Sequence, residues 1–337
     1  MAVFGQEGRR KQGAFRDASA TISNAARHPD DEVGKRNRHL LAHGHEQENL
    51  YPSLRGPTGA VRFFGDRKIK WWRSSRSGDS RGTDGPTRNL ASSQIACVNF
   101  LLPLADVPGA LTACLQELDQ DVGAIAPIEH GGLTSPVEFE WIGPEVSLEG
   151  GTQRGAQNTS TDAFVVAALK GGLRRAYLLE WKYVESYETG RYNGDGRSGE
   201  TRRARYQHLY RADDSSFTSA GPFDELLYEP LYQIMRLRLL ADRMVRCGEL
   251  GVSQAKVIVV CPEENREYRD RITSPELARR LPVGSRLESA IKSLLSDPEG
   301  FVVASPERLG AAVAQGTPDA KIADRHAYHR ERYGWSG

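Results

Sequence analysis

The stretch STDAFVVAALKGGLRRAYLLEWKYVES, Ser160 to Ser186, decides the reading of this chain. Two runs rich in β-branched and aromatic residues, STDAFVVAAL and RRAYLLEWKYV, flank Lys170-Gly171-Gly172-Leu173. Runs of that kind form strands, and a Gly-Gly pair supplies a hairpin turn. A register centred on Gly171 sets Asp162 directly across from Glu180. Facing residues on paired strands point to one side of the sheet, with Cβ atoms about 4.5–5.5 Å apart. Residues two apart along a strand also share a side, so Lys182 joins them. A slip of one residue would separate the three.

Two carboxylates so close raise each other's proton affinity, and a divalent cation removes the conflict. Oxygen donors with no Cys or His nearby suit Mg2+, or Mn2+ in its place, better than zinc. The Trp181 backbone carbonyl is a candidate third ligand. Glu140, on the preceding strand, is a candidate for an outer or second-metal contact. A cation there would activate a water and neutralise charge building on a phosphate oxygen. Lys182 would orient that water and stabilise the transition state, or accept the proton if its pKa were depressed.

The Asp/Glu-x-Lys triplet alone carries little. It occurs at Asp66, Glu180 and Asp319, and about one instance is expected by chance from composition. Only Glu180 lies within an apolar strand and has an acidic partner upstream. The chain also has 36 Arg and 9 Lys. A plain surface ion pair would more often use Arg here, so Lys182 points to a need for a compact, tunable amine. The competing reading is a structural ion pair on a strand.

Around this hairpin, NLASSQIACVNFLLPLA reads as an apolar helix capped by Ser92 or Ser93. SPVEFEWIG alternates Val137, Phe139 and Trp141 with Glu138 and Glu140, a strand pattern. YEPLYQIMRLRLLADRMV is a strong helix with Pro230 suited to its first turn. AKVIVVCP is a strand buried on both faces. SPELARRL and SRLESAIKSLLS read as helices, and GFVVASPERLGAAVA as a strand leading into a helix. The three strands from SPVEFEWIG onward suggest an antiparallel meander, followed by a helical crossover to a parallel strand. The expected fold is mixed α/β (α+β), with a central mixed sheet flanked by helices.

The remaining segments carry weaker signals. Residues 1–48 read as a flexible polar arm, 49–88 as a basic extension with a short hairpin in GAVRFFGDRKIKWWRSS, 89–315 as the main domain, and 316–337 as a surface tail. SGDSRGTDGPTRN, 77–89, reads as a loop, and YETGRYNGDGRSGETRRARYQHLYR, 187–211, as an irregular Arg-rich loop. In the latter, Arg202, Arg203, Arg205 and Tyr206 are candidates for holding phosphates and stacking a base. Trp71-Trp72 and Phe63-Phe64 read as packing residues, and His43 and His45 as a solvated pair.

The formal net charge of +1 conceals a polarity. Residues 1–90 carry 17 Lys/Arg against 10 Asp/Glu, and residues 91–183 carry 5 against 11. A basic part beside an acidic one fits a protein that grips a polyanion and collects cations at one place. No run approaches the roughly 18 apolar residues of a membrane span, and the N-terminus lacks a signal-peptide core. The four cysteines are far apart and read as reduced thiols of a cytoplasmic protein. The absence of a G-x-x-x-x-G-K-[ST] loop argues against built-in ATP hydrolysis.

Asp162 in TSTDAFVV and Glu180-Trp181-Lys182 in LLEWKYVES, with the order helix, three strands, helix, strand, resemble the PD-(D/E)XK, restriction-endonuclease-like nuclease superfamily. The resemblance covers residues 84–315 and is most specific over 158–186. It implies metal-dependent hydrolysis of phosphodiester bonds in DNA, of restriction or defence type, with RNA as an open alternative substrate. Asp162 and Glu180 would be metal ligands and Lys182 the catalytic lysine. The family's Pro-Asp is Thr161-Asp162 here. The acid that many members place on the first helix is replaced by Gln94, with Glu140 as a substitute. Gln233 resembles a helix glutamine of some nuclease branches, and Glu185 could extend the acidic site. A double-strand cut would call for a homodimer, by analogy. The alternatives are a nucleic-acid-binding module on the same fold that does not cleave, and a structural protein with an inert ion pair.

Overall fold

The computed structural model describes residues 4–73, 85–151, 158–187, 190–218 and 221–335. The chain opens with helices α1 (Phe4–Ala18), α2 (Asn24–Arg27), α3 (Glu32–Arg36) and α4 (Ala60–Asp66). Next come α5 (Ser93–Leu101) and α6 (Ala110–Gln116), then strand β1 (Val122–Ala126). A small hairpin of β2 (Ile128–His130) and β3 (Leu133–Ser135) precedes β4 (Glu138–Trp141). The central hairpin is β5 (Thr161–Leu169) and β6 (Arg174–Trp181). Helices α7 (Gly196–Tyr210) and α8 (Leu231–Cys247) lead to β7 (Gln254–Val260). The short helices α9 (Arg266–Arg269), α10 (Pro275–Arg280) and α11 (Leu287–Lys292) follow. Strand β8 (Phe301–Ala304) and helices α12 (Pro306–Gly316) and α13 (Ala320–Tyr333) complete the fold.

Strands lie in the order β1-β5-β6-β7-β8, with β4 also paired to β5. β5 runs antiparallel to β1, β4 and β6, whereas β6, β7 and β8 are parallel. The α7–α8 connection makes the crossover that a parallel pair requires. β5 and β6 pair with Ala163 opposite Leu179 and Ala167 opposite Arg175, the register centred on Gly171. Gly172 has φ of +85°, a conformation that glycine adopts without penalty.

Alternation along these strands feeds two cores. Ala163, Val165, Tyr177, Leu179 and Trp181 face one core with α5, α6, α12 and α13. Phe164, Val166, Ala176 and Leu178 face the other with α8, α10 and α11. Each large apolar side chain buried this way contributes about 1.5–3 kcal/mol. Ser92 caps α5, its side chain accepting the Ile95 N–H.

Four segments differ from the sequence expectations. Residues 4–18, expected within a flexible arm, form α1, which packs against α13 and buries Gln12 and Phe15. The expected tail is α13, with Tyr328, His329, Arg332, Tyr333 and Trp335 buried. Both helices are anchored through buried polar groups. Arg332 donates to the Asn49 carbonyl at 2.6 Å and to Tyr328 Oη at 2.6 Å, and Gln12 donates to the Arg332 carbonyl at 2.8 Å. The expected hairpin around Phe63-Phe64 is α4, where Phe64 stacks on Trp71 with ring centroids 3.9 Å apart. Most of the expected Arg-rich loop is α7, a polar helix whose Tyr206 and Tyr210 reach the core.

Strand β4 departs from simple alternation. Glu140 has φ of +47°, and its neighbours Phe139 and Trp141 enter different cores. Glu138 and Glu140 are both buried. Glu138 is paired with Arg67 at 2.8 Å. Residues 77–84 of the expected Ser-Gly-Asp loop lie outside the described residues.

Candidate active site

Asp162 stands at the start of β5 and Glu180 near the end of β6, one step beyond the Ala163–Leu179 pair. Both carboxylates therefore belong to the same side of the sheet, as does Lys182. They open into a cleft of about 550 Å³, which Glu140, Gln94, Gln233 and Glu185 also line. The β5–β6 hairpin, the N-terminus of α5 and the first turn of α8 converge there, with Glu140 of β4 and Arg9 of α1 beside them.

The side chains are tied to one another. Asp162 Oδ2 accepts the Trp181 N–H at 2.7 Å, fixing the carboxylate to the neighbouring strand. Lys182 Nζ lies 2.7 Å from Glu180 Oε1. Gln233 bridges the pair: its Nε2 donates to Glu180 Oε1 at 2.6 Å, and its Oε1 accepts from Lys182 Nζ at 2.9 Å. Glu180 Oε2 is buried and has no hydrogen-bond partner among the described residues. A buried carboxylate oxygen without a donor is costly.

Glu140 is held differently. Its Oε1 accepts from Trp72 Nε1 at 2.6 Å and from Gln94 Nε2 at 2.9 Å, and its Oε2 accepts from Ser160 Oγ at 3.1 Å. Gln94, the residue in the place of the expected helix acid, thus bonds directly to its substitute. Burial pushes the Glu140 carboxyl up to about 7, offset by these three donors and reinforced by the charge of Glu180. Asp162 is raised well above the usual carboxylate range, first by burial and then by the charges of Glu180 and Glu140. Burial disfavours the charge on Lys182, but Glu180 and nearby groups outweigh it and hold the amine above its ordinary value.

Glu185 lines the cleft with both oxygens engaged: one accepts from Ser93 Oγ and the other from the Tyr183 N–H at 2.8 Å. It braces the chain after Lys182 against α5. The segment Arg202–Tyr206 does not line the cleft. Tyr206 is buried and donates to Glu149 Oε1 at 2.5 Å, so its ring is not offered to a base. Arg202 donates to the Asn193 carbonyl and Arg203 to Asp224, whereas Arg205 is exposed. The His43–His45 segment is not a free pair either, because His45 Nδ1 meets Glu48 at 2.8 Å.

Sequence reasoning missed Ser160, Trp72 and Arg236, all cleft residues. Ser160 was findable, because it lies two positions before Asp162 and shares its side. The Trp71-Trp72 pair divides: Trp71 packs on Phe64, while Trp72 is 49% exposed and ties its indole N–H to Glu140. No signal in the sequence distinguished the two. Among the described residues, no group of three or more His, Cys, Asp or Glu side chains is arranged to hold a metal ion. No described helix is long and apolar enough to cross a membrane.

Comparison with protein families matches residues 34–334 to the family described as restriction endonuclease associating with ARP, and the chain belongs to that family. Neither the curated proteins nor the solved structures yield a match.

Proposed function

We propose that this protein is a Mg2+-dependent endonuclease, with Mn2+ as a substitute, that hydrolyses phosphodiester bonds in DNA in a restriction or defence role. The observation that carries this reading is the convergence of Asp162, Glu180 and Lys182 on one cleft, with Glu180 Oε2 left without a donor. Asp162 and Glu180 fit a hard divalent cation. Burial, and then the charge of Glu180, raises the Asp162 proton affinity, and a cation would relieve both the repulsion and the orphaned oxygen. The Trp181 carbonyl and water would complete the donor set. Glu140, its oxygens already taken by Trp72, Gln94 and Ser160, acts from outside that set.

When bound, the cation supplies activation of water and neutralisation of charge on the scissile phosphate. Lys182 supplies a fixed positive charge. The charge of Glu180 holds the amine above its ordinary value, so it serves as an ammonium that orients water and stabilises the charged transition state. Gln233 holds Lys182 and Glu180 in one geometry, so the amine is positioned before substrate arrives.

Plasmid DNA incubated with Mn2+ or Mg2+ tests the reading, beside an Asp162→Ala control. Cleavage by the wild type and none by the control is the expected result. A gel shift with no cleavage in either metal would favour a module that binds nucleic acid without cutting it.

A further inference from the structure

Helix α1 lies before the family-matched stretch, yet it forms part of the cleft wall through Arg9. The helix carries four cations, and three have acidic partners. Arg10 pairs with Glu7 at 2.6 Å, Lys11 with Glu264 at 3.1 Å and Arg16 with Asp17 at 2.9 Å. Arg9 has no carboxylate partner among the described residues; its Nη1 donates to the Gly5 carbonyl, one turn back, at 3.2 Å.

The helix is fastened to the two residues that follow Lys182. A Cβ on Gly8 would lie 2.6 Å from Val184 Cγ1, and one on Gly5 would lie 2.7 Å from the Val184 carbonyl oxygen. Only glycine allows so close an approach. Gln12 Nε2 donates to Tyr183 Oη at 2.7 Å. The chain leaving the catalytic strand thus seats α1, and the seating brings Arg9 to the cleft.

We infer that Arg9 is a phosphate-binding residue for the nucleic-acid substrate and that α1 is a clamp built to present it. The inference rests on the proposed nuclease reading. The cleft carries four carboxylates, Glu140, Asp162, Glu180 and Glu185, and its Arg9, Arg73, Lys182 and Arg236 offset them against a polyanion. A guanidinium on its wall with donors to spare matches a phosphate in charge and in fork geometry. The phosphate it holds is one flanking the scissile bond, because Asp162, Glu180 and Lys182 occupy the cleft floor.

The test is anisotropy of a labelled DNA duplex with the full chain in Ca2+, so that binding is read apart from cleavage, across a salt series. Arg9→Gln should weaken binding about tenfold and reduce the slope of log affinity against log salt by about one. Arg9→Lys should restore part of the affinity, and Arg10→Gln should leave it unchanged. Thermal melting of Arg9→Gln should match wild type, since the side chain is exposed. Gly8→Val should unseat the helix and cost as much affinity as Arg9→Gln, with no further loss when the two are combined. Wild-type affinity and salt slope in Arg9→Gln would overturn the inference. Plasmid cleavage is scored separately. Weakened binding by Arg9→Gln in a chain that never cuts would support the clamp and sink the nuclease reading.

Discussion

Glu140→Gln should make the metal-free protein more stable at pH 8 and leave it unchanged near pH 4.5. The carboxyl is buried on β4 and raised from 4.5 to about 7. A group whose folded pKa lies above its unfolded value favours folding when protonated, and that advantage is lost as pH rises through the folded pKa. The penalty therefore grows between about pH 4.5 and 7 and is constant above. At about 1.4 kcal/mol per unit it reaches roughly 3 kcal/mol. Glutamine keeps the shape and discards the charge. Its amide oxygen, at the Oε1 position, can still accept from Trp72 and Gln94. Its NH2, at the Oε2 position, can donate to the Ser160 hydroxyl, which rotates to suit. The left-handed backbone at residue 140 is common to both proteins and cancels. Denaturant unfolding in EDTA at pH 4.5, 6 and 8 should give a difference that opens with pH in the variant's favour. A variant that is less stable at pH 8, or a difference that does not change with pH, would refute the assigned cause of the shift.

Lys182→Ala should abolish cleavage and spare DNA binding, since the ammonium acts on the transition state; cutting at the wild-type rate by this variant would remove Lys182 from the mechanism. The same change leaves buried Glu180 short of its counter-charge and should destabilise the fold by about 3–5 kcal/mol, read by denaturant unfolding at pH 7. Asp162→Asn retains an acceptor for the Trp181 N–H but loses the charge. It should melt no higher with Mn2+ than with EDTA, whereas the wild type should gain; equal gains would exclude Asp162 as a ligand. Trp72→Phe removes a donor that favours ionised Glu140, so its cost should be about 1–3 kcal/mol at pH 8 and shrink toward pH 4.5. A pH-independent cost would mean that packing, not the hydrogen bond, is what the indole supplies.

What the sequence revealed and what it concealed follow from two different ways of burying a segment. The β5–β6 hairpin is buried by alternation, so its register and its facing carboxylates were legible from Gly171 outward, and the observed pairing falls on that register. α8 presents an apolar stripe around Leu231, Ile234 and Leu237, and was legible for the same reason. α1 and α13 bury polar side chains, Gln12, Arg325, His329 and Arg332, beside Phe15, Ile322, Tyr328 and Tyr333. Gln12, Asn49 and Arg332 satisfy one another and nearby carbonyls, in helices whose overall composition is strongly polar. Composition reads such residues as solvated, because each is polar by itself and only the network makes burial affordable. Gly5 and Gly8 mislead in the same direction: counted as helix breakers, they are the surface that lets α1 lie against Val184. The same limit hid Trp72 and Arg9, whose importance lies in what they touch across the fold. A cleft built on a readable hairpin and on the readable helices α5 and α8, but closed by Trp72 and by Arg9 of α1, yields its chemistry to sequence analysis sooner than its remaining contacts. The Arg202–Tyr206 segment illustrates the consequence: the right residue types for gripping DNA occupy α7, away from the cleft, while Arg9 of α1 stands at it with Arg73 and Arg236.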